Sequence, residues 1–508
     1  MKDLTSLKRI IALFTAFILI FSFSSCDGNV NESTTSPSEP ETQQEIPGGS
    51  LSVPYTSSDY LSPYYCSTVL NSSLSSLVFR SLYRLNTSFS PVKDLASSEN
   101  VSGLLLNVHI IPDLVFSDGS VLSADDVVYS FECAKKSKQY SSALSGISSC
   151  KKDDDLTVVF ELKENDVNIL NALIFPIVKK GTADSETNLP IGNGFYQYSQ
   201  DGIRLSLKAN LRYAGALPAI GTVRLTDVKN NTSPENLVVT NEIDFCYDDL
   251  ADANITNVNT SSMGVYLNNL VFMGVNHSNV NLVLPSFRRA LSLAVDRQSV
   301  AENSFRGYAR AAAVPFNTSW SEYSSSLSAS EISFSASPDK AQELLAERGF
   351  GKDGISMDLT LICSENNTFI RNTASFIASE LQKINVNASV QFLSPENLKK
   401  RVEAGEYDLY IAEIKLPATM DLSAFFSPSG AASYGISLEN CISDDEYFRY
   451  KNGEITLDDF IKVFNEEMPF IPLVYRNARF LYTRKITSPL SVTESFLFSD
   501  MYNWTFTR

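Results

Sequence analysis

Phe116-Ser-Asp-Gly-Ser-Val-Leu-Ser-Ala-Asp-Asp-Val-Val-Tyr-Ser-Phe-Glu132 decides the reading of this chain. It opens on a turn, Ser117-Asp118-Gly119, in which the Asp side chain closes on its own backbone and Gly supplies the open conformation. Ser123 then starts a helix. Its hydroxyl can cap the first turn, and Asp125 and Asp126 sit at the positive end of the helix dipole. Val127, Val128 and Phe131 supply the buried face. The acid pair therefore has a structural explanation before a catalytic or calcium-binding one is needed.

Upstream, Gly49 to Thr56 reads as a strand in which Leu51, Val53 and Tyr55 alternate with smaller residues. Leu104 to Ile111 and Leu156 to Leu162 are also extended and apolar. Downstream, helices and strands alternate. Phe287, Ala290, Leu291 and Ala294 follow helical spacing, as do Ile370, Ala374, Ile377 and Leu381. Ser337-Pro338 and Ser394-Pro395 are caps followed by proline at the first helical position, with Gly349 and Gly405 as the stops. Between them lie strands Met357 to Cys363, Val386 to Phe392 and Tyr407 to Ala412. Strand, helix, strand, helix, strand is the pattern of an α/β lobe, which gathers ligands at the carboxyl ends of its strands.

At the start of the chain, Lys2, Lys8 and Arg9 precede a 14-residue apolar run, Ile10 to Phe23. A spanning helix needs roughly 20 residues, so residues 1 to 25 read as a secretory signal. Phe23-Ser24-Ser25-Cys26 resembles a bacterial lipobox, with Phe23 where that pattern usually has Leu, which makes Cys26 the expected lipidated residue. Two or three acyl chains hold a protein to a bilayer durably where one does not. Asp27 to Pro47 carries five acidic residues and no Lys or Arg among Ser, Thr, Pro and Gln. Such a stretch is a disordered tether with a reach on the order of 25 Å.

The formal net charge of −17 argues against nucleic acid and against an anionic membrane surface as partners. Apart from Cys26 the cysteines are Cys66, Cys133, Cys150, Cys246, Cys363 and Cys441, with no Cys-x-x-Cys spacing. Disulfides and buried thiols both fit them. There is no nucleophile elbow or phosphate loop. Two histidines, His109 and His277, do not make a multi-histidine metal centre. His109 lies in an apolar extended stretch, whereas Asn276-His277 is placed to face a cleft. No enzyme activity, metal or cofactor is expected.

Phe116 to Glu132 resembles, over its whole length, the signature of the family 5 solute-binding proteins, the peptide/nickel-binding components of ATP-driven importers. Three further stretches fall in the family's order. Pro190-Ile-Gly-Asn-Gly-Phe-Tyr196 is similar to its Gly-rich turn, Phe287-Arg-Arg-Ala-Leu-Ser-Leu-Ala-Val-Asp-Arg297 to its second-lobe helix, and Glu467-Met-Pro-Phe-Ile-Pro-Leu-Val-Tyr475 to the return into the first lobe. The resemblance implies an α/β, two-lobed periplasmic-binding-protein-like clamshell of the class II, or cluster C, type. Its first lobe spans residues 48 to 265, with an extra N-terminal subdomain at about 84 to 190. Its second lobe spans 266 to 472, and 473 to 508 return to the first. The lobes would close on a ligand about a hinge.

The family also implies partners. They are a small molecule or short peptide, permease subunits with a cytoplasmic ATPase, and the membrane through the lipid alone, at the outer face of a bacterial envelope, with the chain a monomer. A nickel chelate or an oligosaccharide are alternative ligands within the same fold, and solute sensing at the surface is an alternative role. Strand ends nominate the cleft residues: Tyr55, Thr56, Asp59 and Tyr60; Tyr247 and Asp248; Asn276; and Pro417, Met420 and Asp421. In the family's peptide binders an aspartate just beyond the strand equivalent to Tyr407 to Ala412 pairs with the ligand's amine. Here Pro417 takes that place and Asp421 follows four residues on, either pairing an amine from a shifted position or capping a helix toward Phe426.

Overall fold

The computed structural model describes residues 48–183, 189–228, 233–253, 255, 258–326, 335–487, 492–494, 497, 498, 501 and 504. The signal segment, Cys26 and the tether lie outside them. Strand β1 (Ser50–Tyr55) is followed by a small hairpin, β2 (Tyr83–Leu85) and β3 (Pro91–Lys93). Next come β4 (Ala96–Ser102), β5 (Leu105–Ile110), β6 (Ile147–Asp154) and β7 (Thr157–Leu162), which pair in the order β4-β5-β7-β6. Helix Ala124–Lys136 packs on that sheet. Strands β8 (Tyr196–Asp201), β9 (Arg204–Ala209) and β10 (Thr222–Asp227) join β1 in the order β1-β10-β9-β8.

The deciding stretch folds as read. Asp118 accepts from Ser120 N–H at 3.0 Å, and Gly119 takes a positive φ of 89°. At the helix start Asp126 Oδ2 accepts from Ser123 N–H at 2.9 Å, while its Oδ1 takes Lys180 N–H at 2.9 Å. Asp125 pairs with Lys152 and Lys180. Gly192 and Gly194 are required by close approach, since a Cβ at either would lie within 2.8 Å of backbone atoms of Leu77 or Val78.

The remaining strands form one larger sheet. They are β11 (Phe245–Asp248), β12 (Ser261–Val275), β13 (Ala309–Ala311), β14 (Met357–Ser364), β15 (Val386–Leu393), β16 (Leu409–Lys415) and β17 (Ile471–Tyr482). Their order is β11-β17-β12-β16-β14-β15, with β14 parallel to both β15 and β16. The third strand of the α/β pattern starts two residues later than expected and runs on to Lys415. Asp408 is drawn out of it, accepting from Thr360 N–H at 2.7 Å and Asn279 Nδ2 at 2.8 Å.

Buried apolar residues fall into two principal cores. One holds Leu51 to Val223 together with Ala478, Phe480 and Trp504, and the other holds Leu270 to Tyr475. The tip of the β2–β3 hairpin crosses between them, for Leu85 and Phe89 belong to the second core. Asn171 pins that tip by donating to Phe89 O at 3.2 Å and Ala418 O at 2.9 Å. Two arginines of the Phe287 to Arg297 stretch are buried as carbonyl collectors. Arg288 donates to Glu467 O, Met468 O, Leu282 O and Val283 O, and Arg297 to Ala312 O, Pro472 O, Ser292 O and Val295 O. Burial pushes both guanidinium groups down to about 10.

Candidate functional site

Strands β12 and β17 run side by side from one core into the other. On β12, Leu267 lies in the first core and Leu270 in the second; on β17, Ala478 and Tyr475 make the same change. At that point the ladder slips: Tyr266 opposes Asn477 and Asn269 opposes Arg476, so Leu267 and Asn268 stand outside it. Such a bulge re-aims side chains and lets a strand bend. Asn268 Nδ2 donates to Leu416 O at 3.2 Å and Pro417 O at 3.0 Å, tying the bulge to the segment after β16.

A cavity of about 590 Å³ opens at this crossing. Its wall is shared by Tyr266, Asn269 and Arg476 of the crossing strands, Tyr247 near the end of β11 and Asp249 just after it, Lys415 at the end of β16 and Pro417 beyond it, and Arg80, Tyr83 and Phe89 from the first half of the chain. Three of its cations, Arg476, Lys415 and Arg80, are held in ion pairs. Arg476 donates from Nε and Nη2 to Glu413 Oε1 at 2.9 and 2.7 Å, and Asn269 Nδ2 reaches the same oxygen at 2.6 Å. Burial works against the guanidinium's charge, but Glu413 outweighs it and raises the pKa. Lys415 is held charged by Glu494, and Arg80 Nη2 lies 2.8 Å from Asp94. The Arg310 guanidinium stacks 3.9 Å from the centre of the Tyr266 ring. That contact fixes an aromatic face at the crossing.

Of the residues nominated by strand ends, Tyr247 and Pro417 line the cavity. Burial raises the Tyr247 phenol well above its ordinary value. The others are placed elsewhere. Asp248 turns to Arg479 at 2.8 Å, and burial raises its carboxyl. Tyr55 is half-buried at the end of β1, its phenol raised by burial and by Asp227. Thr56 exchanges hydrogen bonds with the Asn71 side chain at 2.8 and 2.9 Å. Asp59 accepts from Thr68 N–H at 2.8 Å and Thr68 Oγ1 at 2.6 Å, just ahead of the helix Val69–Val78. Tyr60 is exposed, its ring 6.3 Å from that of Tyr65.

Asn276 Nδ2 donates to Tyr407 O at 2.9 Å and Gly405 O at 3.2 Å. His277 is buried against Pro469 O, and burial pushes its pKa down to about 4. Met420 is buried at a positive φ of 57°. Asp421 lies outside the cavity wall. It accepts from Ser423 N–H at 2.6 Å and Lys451 Nζ at 2.9 Å, and the same ammonium reaches Glu164 at 2.7 Å.

Strand ends did not nominate Arg476, Glu413, Asn269 or Arg80. One signal was available, because an arginine inside the apolar stretch Ile471-Pro-Leu-Val-Tyr-Arg476 needs a buried partner. Cys66, Cys150, Cys246, Cys363 and Cys441 are buried thiols outside any disulfide. Among the described residues no group of three or more His, Cys, Asp and Glu side chains is placed to hold a metal ion.

Residues 90–434 match the family described as bacterial extracellular solute-binding proteins, family 5 Middle. The chain belongs to that family. Like other family 5 proteins it is a periplasmic or extracellular solute-binding protein of an ABC importer, binding a small ligand between two lobes of a clamshell for delivery to a permease. The oligopeptide-binding protein AppA of Bacillus subtilis (strain 168) is 24% identical over 434 residues, covering 78% of each chain. The structure of AppA in complex with a nonapeptide superposes with a TM-score of 0.58 at 21% identity, covering 92% of this chain and 100% of AppA. NikA from Brucella suis, in complex with Fe(III)-EDTA, gives a TM-score of 0.67 at 18% identity, covering 90% of this chain and 100% of NikA. Proteins that share this fold thus hold ligands of quite different chemistry.

Proposed function

We propose that this family 5 protein captures a peptide-like solute. The supporting observation is the cavity at the β12–β17 crossing, whose walls come from both cores. Its volume of about 590 Å³ lies within the roughly 300–1,000 Å³ of small-ligand sites. Aromatic faces from Tyr83, Tyr247 and Tyr266 suit varied side chains, because a ring with a polar edge packs without demanding one shape.

The hinge is the bulge at Leu267 and Asn268 opposite Arg476 and Asn477, about which the lobes close and bury the ligand. Acylated Cys26 holds the protein at the outer face of the membrane, and residues 27 to 47 let the body reach ABC permease subunits driven by a cytoplasmic ATPase. The test is mass spectrometry of small molecules that co-purify with the chain expressed without residues 1 to 26. Peptides are expected. Recovery of a metal chelate or a glycan in their place sinks the reading.

A further inference from the structure

Away from the crossing strands the two cores are tied a second time. Ile169 lies in the first core and Tyr447 and Tyr450 in the second, and residues 164–168 meet the end of the helix Ile442–Lys451. Lys451 Nζ reaches Glu164 Oε1 at 2.7 Å, Val167 N–H donates to Lys451 O at 3.1 Å, and Asn168 Nδ2 donates to the Tyr450 hydroxyl at 3.3 Å. That hydroxyl in turn donates to Glu322 Oε1 at 3.0 Å. Just beyond, Asn171 joins Phe89 O to Ala418 O, and Phe89 and Ala418 both line the cavity. None of these residues belongs to β12 or β17. Lobes fastened at the crossing and again here cannot part about the crossing until the second fastening is undone.

The second fastening carries more carboxylates than its cation can neutralise. One ammonium, 6% exposed, faces Glu164 at 2.7 Å, Asp421 at 2.9 Å and Asp166. The other titratable groups around Asp166 are the phenols of Tyr447 and Tyr450, both raised by burial, with Glu322 behind Tyr450. Among the described residues the Asp166 carboxylate accepts one hydrogen bond, from Asn168 N–H of its own segment at 2.8 Å. Three like charges in a site closed to water do not all ionise readily. Asp166, which has no direct contact with the ammonium, is the member that keeps its proton.

We propose that residues 164–168 and the end of the helix Ile442–Lys451 form a latch between the lobes, held by Lys451 while Asp166 is protonated and loosened when Asp166 ionises beside Asp421 and Glu164. Burial, above all, pushes Asp166 up to about 6 in the latched form, whereas Asp421 stays below its ordinary value and so remains charged. With the second lobe withdrawn, Asp166 faces water and returns to about 4. The closed form then binds the proton more tightly, so closure is favoured at acid pH and loses that support as pH rises from about 4 to 6. The latch holds or frees the lobes whatever the ligand is.

The full chain in detergent, stripped of solute by dialysis, carries a donor and an acceptor dye on unnatural side chains at the exposed positions Val121 and Ile355, one in each lobe. Single-molecule energy transfer then counts open and closed forms with the native cysteines untouched. For the parent the open-to-closed ratio should rise about tenfold from pH 5 to pH 7.5, as a carboxyl moved from about 4 to about 6 implies. Asp166→Asn should keep the acid-side ratio at both pH values. Glu164→Gln alters a side chain that is 46% exposed, so the fold is left intact, and should raise the ratio at pH 5 by roughly two- to fivefold. A parent ratio equal at the two pH values overturns the latch. So does a pH response that survives in Asp166→Asn, a Glu164→Gln ratio equal to the parent's, or a single population in all three proteins. None of these outcomes touches the peptide reading, which co-purification tests separately.

Discussion

Replacing Lys451 by Met removes the ammonium that joins Asp421 to Glu164. Lys451 and Asp421 side chains are 6% and 15% exposed, whereas Glu164 is 46% exposed. Asp421 would keep only neutral partners, the Ser423 N–H and hydroxyl and the Tyr447 phenol. Breaking a buried pair by removing one partner costs about 3–5 kcal/mol, and the exposed Glu164 contact adds at most about 1. For a body of about 460 residues, melting entropy is roughly 1 kcal/mol per degree, so Tm should fall by about 3–5 °C. Burial alone would raise the Asp421 carboxyl, but Lys451 and Ser423 overcome it and hold the pKa below its ordinary value. A carboxyl depressed on folding contributes stability above its unfolded pKa of about 4 and loses it as pH falls through the folded value. Burial likewise opposes the Lys451 charge, and Asp421 outweighs it, so the Lys451 pKa is raised and that contribution fades only above about pH 10. The deficit should be flat from about pH 5 to 10 and shrink below about pH 4. Adding Asp421→Asn to Lys451→Met should restore most of the loss, because no unpaired charge remains. Melting followed by circular dichroism across that pH range checks all three points. A Lys451→Met protein within a degree of the parent, or equally impaired at pH 3.5, refutes the reasoning.

Asp166 is predicted to behave oppositely, since burial pushes its carboxyl up to about 6. The folded state then holds the proton more tightly, and stability falls as pH rises from about 4 to 6. Asp166→Asn should therefore raise Tm at pH 7.5 and leave it unchanged at pH 4, read by the same melts. Arg297→Met takes a donor from four buried carbonyls, of which Ser292 O keeps the Val295 N–H, and should cost about 3 kcal/mol or more, measured by urea unfolding. Cys26→Ala should move the protein from the membrane fraction to the soluble one, and a processed variant that stays wholly with membranes contradicts the lipid anchor.

The second-lobe elements were legible because their punctuation is local. Ser394 accepts from Asn397 N–H and Pro395 follows it, while Gly349 and Gly405 take positive φ values of 78° and 70°. The signature helix was legible for the same reason. The cavity was not. Arg476 and Glu413 stand 63 positions apart and meet because β12 lies between their strands, an adjacency no local pattern encodes. Asp421 illustrates the opposite difficulty. Its position beyond a strand end suggests an anchor, but a strand end does not tell which way a side chain turns, and Lys451 takes it.

Phe89 sits in the second core although its hairpin belongs to the first half of the chain, and it is only 8% exposed there. Any opening that withdraws the hairpin puts that ring into water, at about 1.5–3 kcal/mol. That one term weighs against the open form by a factor of roughly ten to a hundred before a ligand arrives. A bias of that size lowers apparent affinity in the same proportion where the open form is the one that binds, so capture would report how often Phe89 lets go as well as what the cavity grips.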